Sequence, residues 1–82
     1  LAADGIDVNY KDRYGQTALM WLAWKGNVKA VKLLLAVDGI DANHEDSYGH
    51  TALTQAAREG NAEVVNLIAD FIDKQKAGEY GI

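Results

Sequence analysis

Two imidazoles and a carboxylate fall in one short segment, at His44, Asp46 and His50, and are the residues of this chain best able to hold a metal ion. Their spacing matches no recognised ligand pattern, and two histidines flanking a turn lack the second shell that orients metal ligands, so no metal is expected. Ser47 is the only serine and cysteine is absent, which leaves little for nucleophilic catalysis. A serine between Asp46 and Tyr48 on a projecting turn has neither a strained elbow nor an oxyanion hole. The glycines are singly spaced and form no phosphate-binding loop. Neither a catalytic residue nor a cofactor is therefore expected, and the chain does not read as an enzyme.

Composition narrows the classes further. The 82 residues allow only a modest core, with no disulfide and no thiolate zinc site to reinforce it. The absence of cysteine and of a signal peptide points to an intracellular, cytoplasmic setting. Twelve acidic against eight basic residues give a net charge of −4, and a negative field repels phosphate backbones, so nucleic acid is not an expected partner. No apolar run approaches the ~20 residues needed to span a bilayer, and no membrane association is expected.

The elements that position these side chains follow from an internal repeat. Leu1-Ala2-Ala3-Asp4-Gly5-Ile6-Asp7-Val8-Asn9 returns as Leu35-Ala36-Val37-Asp38-Gly39-Ile40-Asp41-Ala42-Asn43, and Tyr14-Gly15-Gln16-Thr17-Ala18-Leu19 returns as Tyr48-Gly49-His50-Thr51-Ala52-Leu53. Gly15 and Gly49 stand 34 residues apart, and the same register joins Ala23 to Ala57, Gly26 to Gly60, Asn27 to Asn61 and Val31 to Val65. Inside one period, Leu19, Leu22 and Ala23, then Val28, Val31 and Leu35, have helical spacing. Thr17 and Thr51 are placed to cap the first helix, Gly26 and Gly60 to end it, and Asn27 and Asn61 to open the second. Residues 40–49 carry the Asp, Asn and Gly of a reversing loop.

A helix pair of this size cannot bury its own apolar face and becomes stable by stacking on its neighbours. The run Ala18-Leu19-Met20-Trp21-Leu22-Ala23-Trp24 is apolar nearly all round, as suits a helix covered on several sides. Within it Trp21 reads as core, whereas Trp24, whose equivalent is Arg58, reads as at least partly exposed. The division that follows is 1–9 as the tail and loop of a preceding repeat, 10–43 as one repeat, 44–76 as a terminal, capping repeat and 77–82 as a frayed or docked tail. The absence of an initiator methionine and the opening in mid-pattern suggest an excerpt whose N-terminal flank is uncovered and open to self-association.

This order closely resembles the ankyrin repeat, with its Asp-x-x-Gly-x-Thr-Pro-Leu-His loop and helix start, Gly-His turn, Leu-Leu helix end and Gly-Ala-Asp-Val-Asn tail. Asp12, Gly15, Thr17, Leu19, Ala23, Gly26, Val31, Leu33 and Leu34 match it once. Asp46, Gly49, Thr51, Leu53, Ala56, Ala57, Gly60, Val64, Val65, Leu67 and Ile68 match it again. The chain departs from it where Ala18 and Ala52 replace the proline and where Met20 and Thr54 replace the histidine that ties neighbouring loops. Asn27 and Asn61 replace the histidine after the glycine, and one extra residue lengthens the turn in Ala36-Val37-Asp38-Gly39.

The resemblance implies an all-α solenoid of stacked helix-turn-helix units joined by projecting, hairpin-like loops. It also implies a non-catalytic module that binds another protein through loop tips and the concave helix face. Carried over position by position, the contact residues are Lys11, Arg13, Tyr14, Gln16, Trp24 and Lys25 in one repeat and Glu45, Ser47, Tyr48, His50, Arg58 and Glu59 in the next. Tyr, Trp and Arg are the side chains that dominate binding hot spots. Tyr14 and Tyr48 share a repeat position, so they either touch a partner or pack on each other across adjacent loops. Lys11, Arg13, Lys25, Lys29 and Lys32 crowd the first repeat, and Asp38, Asp41, Glu45, Asp46, Glu59 and Glu63 the second. That asymmetry either steers a partner or solvates the outer faces. The alternative function is structural stacking or self-association within a longer array.

Overall fold

The computed structural model describes residues 7–79, which form four α-helices and, among the described residues, no strand. They are α1 (Ala18–Lys25), α2 (Val28–Leu35), α3 (Ala52–Arg58) and α4 (Ala62–Glu79). Residues 1–6, the greater part of the first copy of the Gly-Ile-Asp motif, lie outside the described residues, as do 80–82.

Each helix begins and ends where local chemistry allows. The Thr17 hydroxyl accepts the Met20 N–H at 3.3 Å, and Asn27 Oδ1 accepts the Ala30 N–H at 3.1 Å, so both α1 and α2 have side-chain caps. At α3, Thr51 and Thr54 cap each other: the Thr51 hydroxyl accepts the Thr54 N–H at 3.2 Å and the Thr54 hydroxyl accepts the Thr51 N–H at 2.7 Å. Thr54, which stands where the family carries a histidine, thus stabilises a helix start. The extra residue after α2 is taken up by a turn closed by the Ile40 N–H on the Val37 carbonyl at 3.2 Å, with Gly39 at φ +82°.

The helices pack as two pairs, α1 against α2 and α3 against α4, and the pairs stack through α1 on α3 and α2 on α4. Leu19, Met20, Ala23, Val31, Leu34, Ala52, Ala56, Val64 and Ile68 are buried between them, and Ile40 and Ala42 join the core from the connecting loop. Small side chains at Ala52 and Ala56 let α1 approach α3 closely. Val65, Leu67, Phe71 and Ile72 pack half-buried along α4.

Asn61 locks one pair to the other. Its amide donates to the Ala23 and Trp24 carbonyls at 2.8 and 3.1 Å, at the C-terminal end of α1 where carbonyls lack helical partners or share one. Space for that side chain exists because Gly26 has no Cβ: one built there would lie 2.9 Å from Asn61 Oδ1, and Gly26 is also left-handed at φ +76°. Gly26→Ala is therefore expected to cost about 2–3 kcal/mol, combining the left-handed penalty with displacement of Asn61. Gly60→Ala, at φ +73° but with open space around it, is expected to cost about 1 kcal/mol. Urea unfolding of the two variants measures the difference.

Two expectations need correction. Trp21 is 56% exposed and not a core residue. At 100° per residue, Leu19, Met20 and Ala23 occupy one arc of α1, and Ala18, Trp21, Trp24 and Lys25 occupy the opposite one, which lies outside the packed face. The tail expected from residue 77 does not begin there, because α4 continues through Glu79. The segment from Asp70 contains no proline and carries an i,i+4 ion pair, Asp70 to Lys74 at 3.1 Å, so nothing stops the helix at that point.

Candidate protein-binding surface

The projecting loops are built on one aspartate each. Asp12 and Gln16 close the first hairpin through the Asp12 N–H on the Gln16 carbonyl at 3.0 Å, and the Gly15 N–H meets the Asp12 carbonyl at 2.9 Å. Asp12 Oδ1 then accepts the Tyr14 and Gln16 N–H groups at 2.8 and 3.0 Å. The second loop repeats this: Asp46 N–H to the His50 carbonyl, Gly49 N–H to the Asp46 carbonyl, and Oδ1 accepting from Tyr48 and His50 at 2.8 and 2.9 Å. An aspartate that gathers two backbone N–H groups two and four residues on fixes the turn and aims the intervening tyrosine outward.

The loops are also tied to each other. The Ser47 N–H donates to the Tyr14 carbonyl at 3.0 Å, and the Gln16 amide donates to Asp46 Oδ2 at 2.6 Å. His44 Nε2 lies 3.1 Å from the Gly15 carbonyl, and because a carbonyl only accepts, Nε2 carries the proton. Further back, Asn9 donates to the Gly39 carbonyl and accepts from the Asp41 N–H, each at 2.8 Å. Neighbouring loops are thus linked although Met20, at the family's histidine position, is buried in the core.

Stacking makes the two aspartates unequal. Asp12 is exposed, whereas the Asp46 side chain is almost wholly covered. Burial pushes the Asp46 carboxyl up. The backbone N–H groups of His50 and Tyr48, the charge of His50 when protonated and the Gln16 amide together outweigh burial and hold it below the ordinary carboxylate range. Arg58 Nη1 sits 3.3 Å from His50 Nδ1, which accepts from the guanidinium only when that nitrogen carries no proton. The 3.8 Å from that nitrogen to Asp46 Oδ2 is longer than a hydrogen bond.

The expected contact residues separate into groups. Tyr14, Gln16 and Trp24 line one groove of about 360 Å³, together with Asp12, Trp21 and Gln55. Tyr48, His50 and Arg58 form a second cluster, with the Tyr48 and His50 rings 6.4 Å apart. Lys25 lies 5.7 Å above the Trp21 ring. Lys11, Arg13, Glu45, Ser47 and Glu59 are exposed on the loops and at the end of α3. Gln16 lines the groove while its amide also donates to Asp46 Oδ2 at 2.6 Å. Among the described residues the aromatic pairs are Trp21 with Trp24, at 5.3 Å, and Tyr48 with His50, so Tyr14 and Tyr48 are not stacked on each other.

Sequence reasoning did not place Trp21, Gln55 or Asp12 among the groove residues. The signal was present in the i,i+3 spacing of Trp21 and Trp24: if Trp24 faces outward, Trp21 is carried to the same side. His44, Asp46 and His50 do not converge, because His44 is turned to the Gly15 carbonyl and Asp46 to its own loop. Among the described residues no group of three or more His, Cys, Asp or Glu side chains is placed to hold a metal. No helix among them is long and apolar enough to cross a membrane.

Comparison with known proteins agrees with this architecture. A search of curated proteins finds no match. The family model described as "Ankyrin repeats (3 copies)" matches residues 1–77. Ankyrin repeats are generally protein–protein interaction modules and typically non-catalytic. With four helices paired and stacked in a 34-residue register and the family match covering nearly its whole length, this chain belongs to the ankyrin repeat family.

Proposed function

We propose that this chain binds a partner protein across its loop tips and the exposed side of α1 and α3, without catalysing a reaction. The observation that carries this reading is the exposure of large side chains in two clusters, on tied loops and the helices that follow them. Tyr14, Trp21, Trp24 and Tyr48 are 54%, 56%, 44% and 75% exposed, beside Arg58, on loops locked by the bonds to Asp46 and the Tyr14 carbonyl. A surface already held in shape loses little entropy on association, and exposed tyrosine, tryptophan and arginine supply area with a polar edge. Arg13, Lys11, Lys25, Glu45, Ser47, His50 and Glu59 surround these anchors as a polar rim, with Gln16 serving to position the second loop.

The test is the combined variant Arg13→Ala, Tyr14→Ala, Tyr48→Ala and Arg58→Ala. All four residues are exposed, so helix content should be unchanged, and the affinity for a protein retained by the parent chain should fall at least about 100-fold, as loss of two hot-spot contacts implies. Retained affinity with intact helicity removes this face from consideration.

A second reading, self-association through the flank of the first repeat, is favoured by comparing equivalent positions. Ala52 and Ala56, which α1 covers, are 2% and 0% exposed. Their equivalents Ala18 and Leu22 are exposed and half-buried, and Leu33 is 69% exposed. Light scattering decides: a dimer weakened by Trp21→Lys supports this reading, and a monomer at all concentrations counts against it.

A further inference from the structure

We infer that the groove between the first loop and α1 receives a methylated lysine side chain of the partner protein; this deepens the reading above and rests on it. The groove brings three aromatic residues, Tyr14, Trp21 and Trp24, together with the acidic Asp12, and Gln16 and Gln55 complete its lining. Aromatic faces beside one carboxylate are the arrangement that favours a large, weakly hydrated ammonium: the ring quadrupoles attract the charge and the methyl groups fill apolar space. At 5.3 Å and 46° the two indoles touch and leave no room for an ion between them. They form one wall, against which the cation rests beside Tyr14 and Asp12, which line the same groove.

Two further observations point to a cation instead of an apolar side chain. The Trp21 ring already takes an ammonium from within the chain, that of Lys25 at 5.7 Å. Lys25 lines the neighbouring groove with Ala18, Leu22 and Asn27 and not this one, so the Tyr14 side of the indole wall remains available. Asp12 Oδ1 holds the loop N–H groups of Tyr14 and Gln16, and Oδ2 takes none of them, which leaves a carboxylate oxygen for an incoming charge.

The chain's only two tryptophans, Trp21 and Trp24, are both in this groove, so intrinsic fluorescence reads the site directly. The probes are a short Gly-Ser peptide with one trimethyllysine, the same peptide with unmodified lysine, the same with the neutral tert-butyl isostere, and free tetramethylammonium. The expected result is saturable quenching by the trimethyllysine peptide, at least tenfold tighter than by either control peptide. Free tetramethylammonium should quench more weakly. Trp24→Ala and Tyr14→Ala should abolish the response with helix content retained. Asp12→Asn keeps an oxygen for the loop N–H groups and should weaken the cation several-fold while leaving the isostere unchanged. Equal binding of the isostere would show a merely apolar groove and overturn the inference. So would absence of quenching by both methylated probes, or a concentration-dependent blue shift without ligand, which would mean that a second copy covers the indoles. Loss of partner binding in the four-residue variant, together with failure of every methylated probe, would leave the protein-binding reading standing and this one refuted.

Discussion

Asp46→Ala will destabilise the fold by about 3 kcal/mol, while Asp12→Ala, the same substitution one repeat earlier, will cost about 1 kcal/mol or less. Both carboxylates hold two backbone N–H groups of their own loop. Only Asp46 is covered by the neighbouring loop and also receives the Gln16 amide, at 2.6 Å. Around Asp12 water replaces the lost acceptor; around Asp46 it cannot enter without parting the loops. Urea denaturation midpoints of the two variants give the comparison, and equal losses would mean that stacking adds nothing to the shared turn.

The same residue sets an acid dependence with a definite sign. Its carboxyl is held below the ordinary range in the folded chain, so the folded state favours the ionised form. The resulting stability is fully present above the unfolded value, about 3.9 for an aspartate, and is lost as pH falls through the lower folded value. The parent chain should therefore lose more stability than Asp46→Asn when the pH is taken from 6 down to the acid side of that range.

Ile68→Ala is expected to cost about 3–4 kcal/mol and to lower the melting temperature by roughly 15–20 °C, enough to unfold much of the population of so small a domain. Ile68 is fully buried on α4, the helix that packs against both α2 and α3. Truncation leaves a void at the junction of the two helix pairs, where neither can relax without leaving the other. Leu33→Ala, on the exposed side of α2 at 69% exposure, should change stability by less than about 0.5 kcal/mol. Thermal unfolding followed by circular dichroism separates them, and comparable losses would place the core elsewhere.

Much of the fold was legible because its signals are local. Thr17, Asn27 and Thr51 cap by reaching three residues along their own chain, and the spacing of Val31 with Leu34 and of Val64 with Ile68 marks one helix face without reference to anything else. Trp21 was misread because its burial depends on what lies against α1, which an apolar run does not specify. The pairing of Trp21 with Trp24 made the outward face readable in hindsight. The links between loops were hidden for a related reason. Gln16 and Asp46, or Asn61 and the Ala23 carbonyl, lie 30 and 38 residues apart, and they meet only once the repeats are stacked. The histidine position of the family pattern gave no hint, because the connection moved to Gln16, His44 and the Ser47 backbone.

The unequal aspartates give the array a polarity. The second loop is shielded by the first, whose own aspartate stays exposed, so two turns built alike differ in how tightly they hold their amide protons. Hydrogen exchange at Tyr48 and His50 should track opening of the whole stack, while Tyr14 and Gln16 exchange through brief local excursions. A repeat stacked against the first loop, with a glutamine aligned to Gln16, would give Asp12 the sheltered state: a neighbour would stiffen a turn whose own residues had not changed.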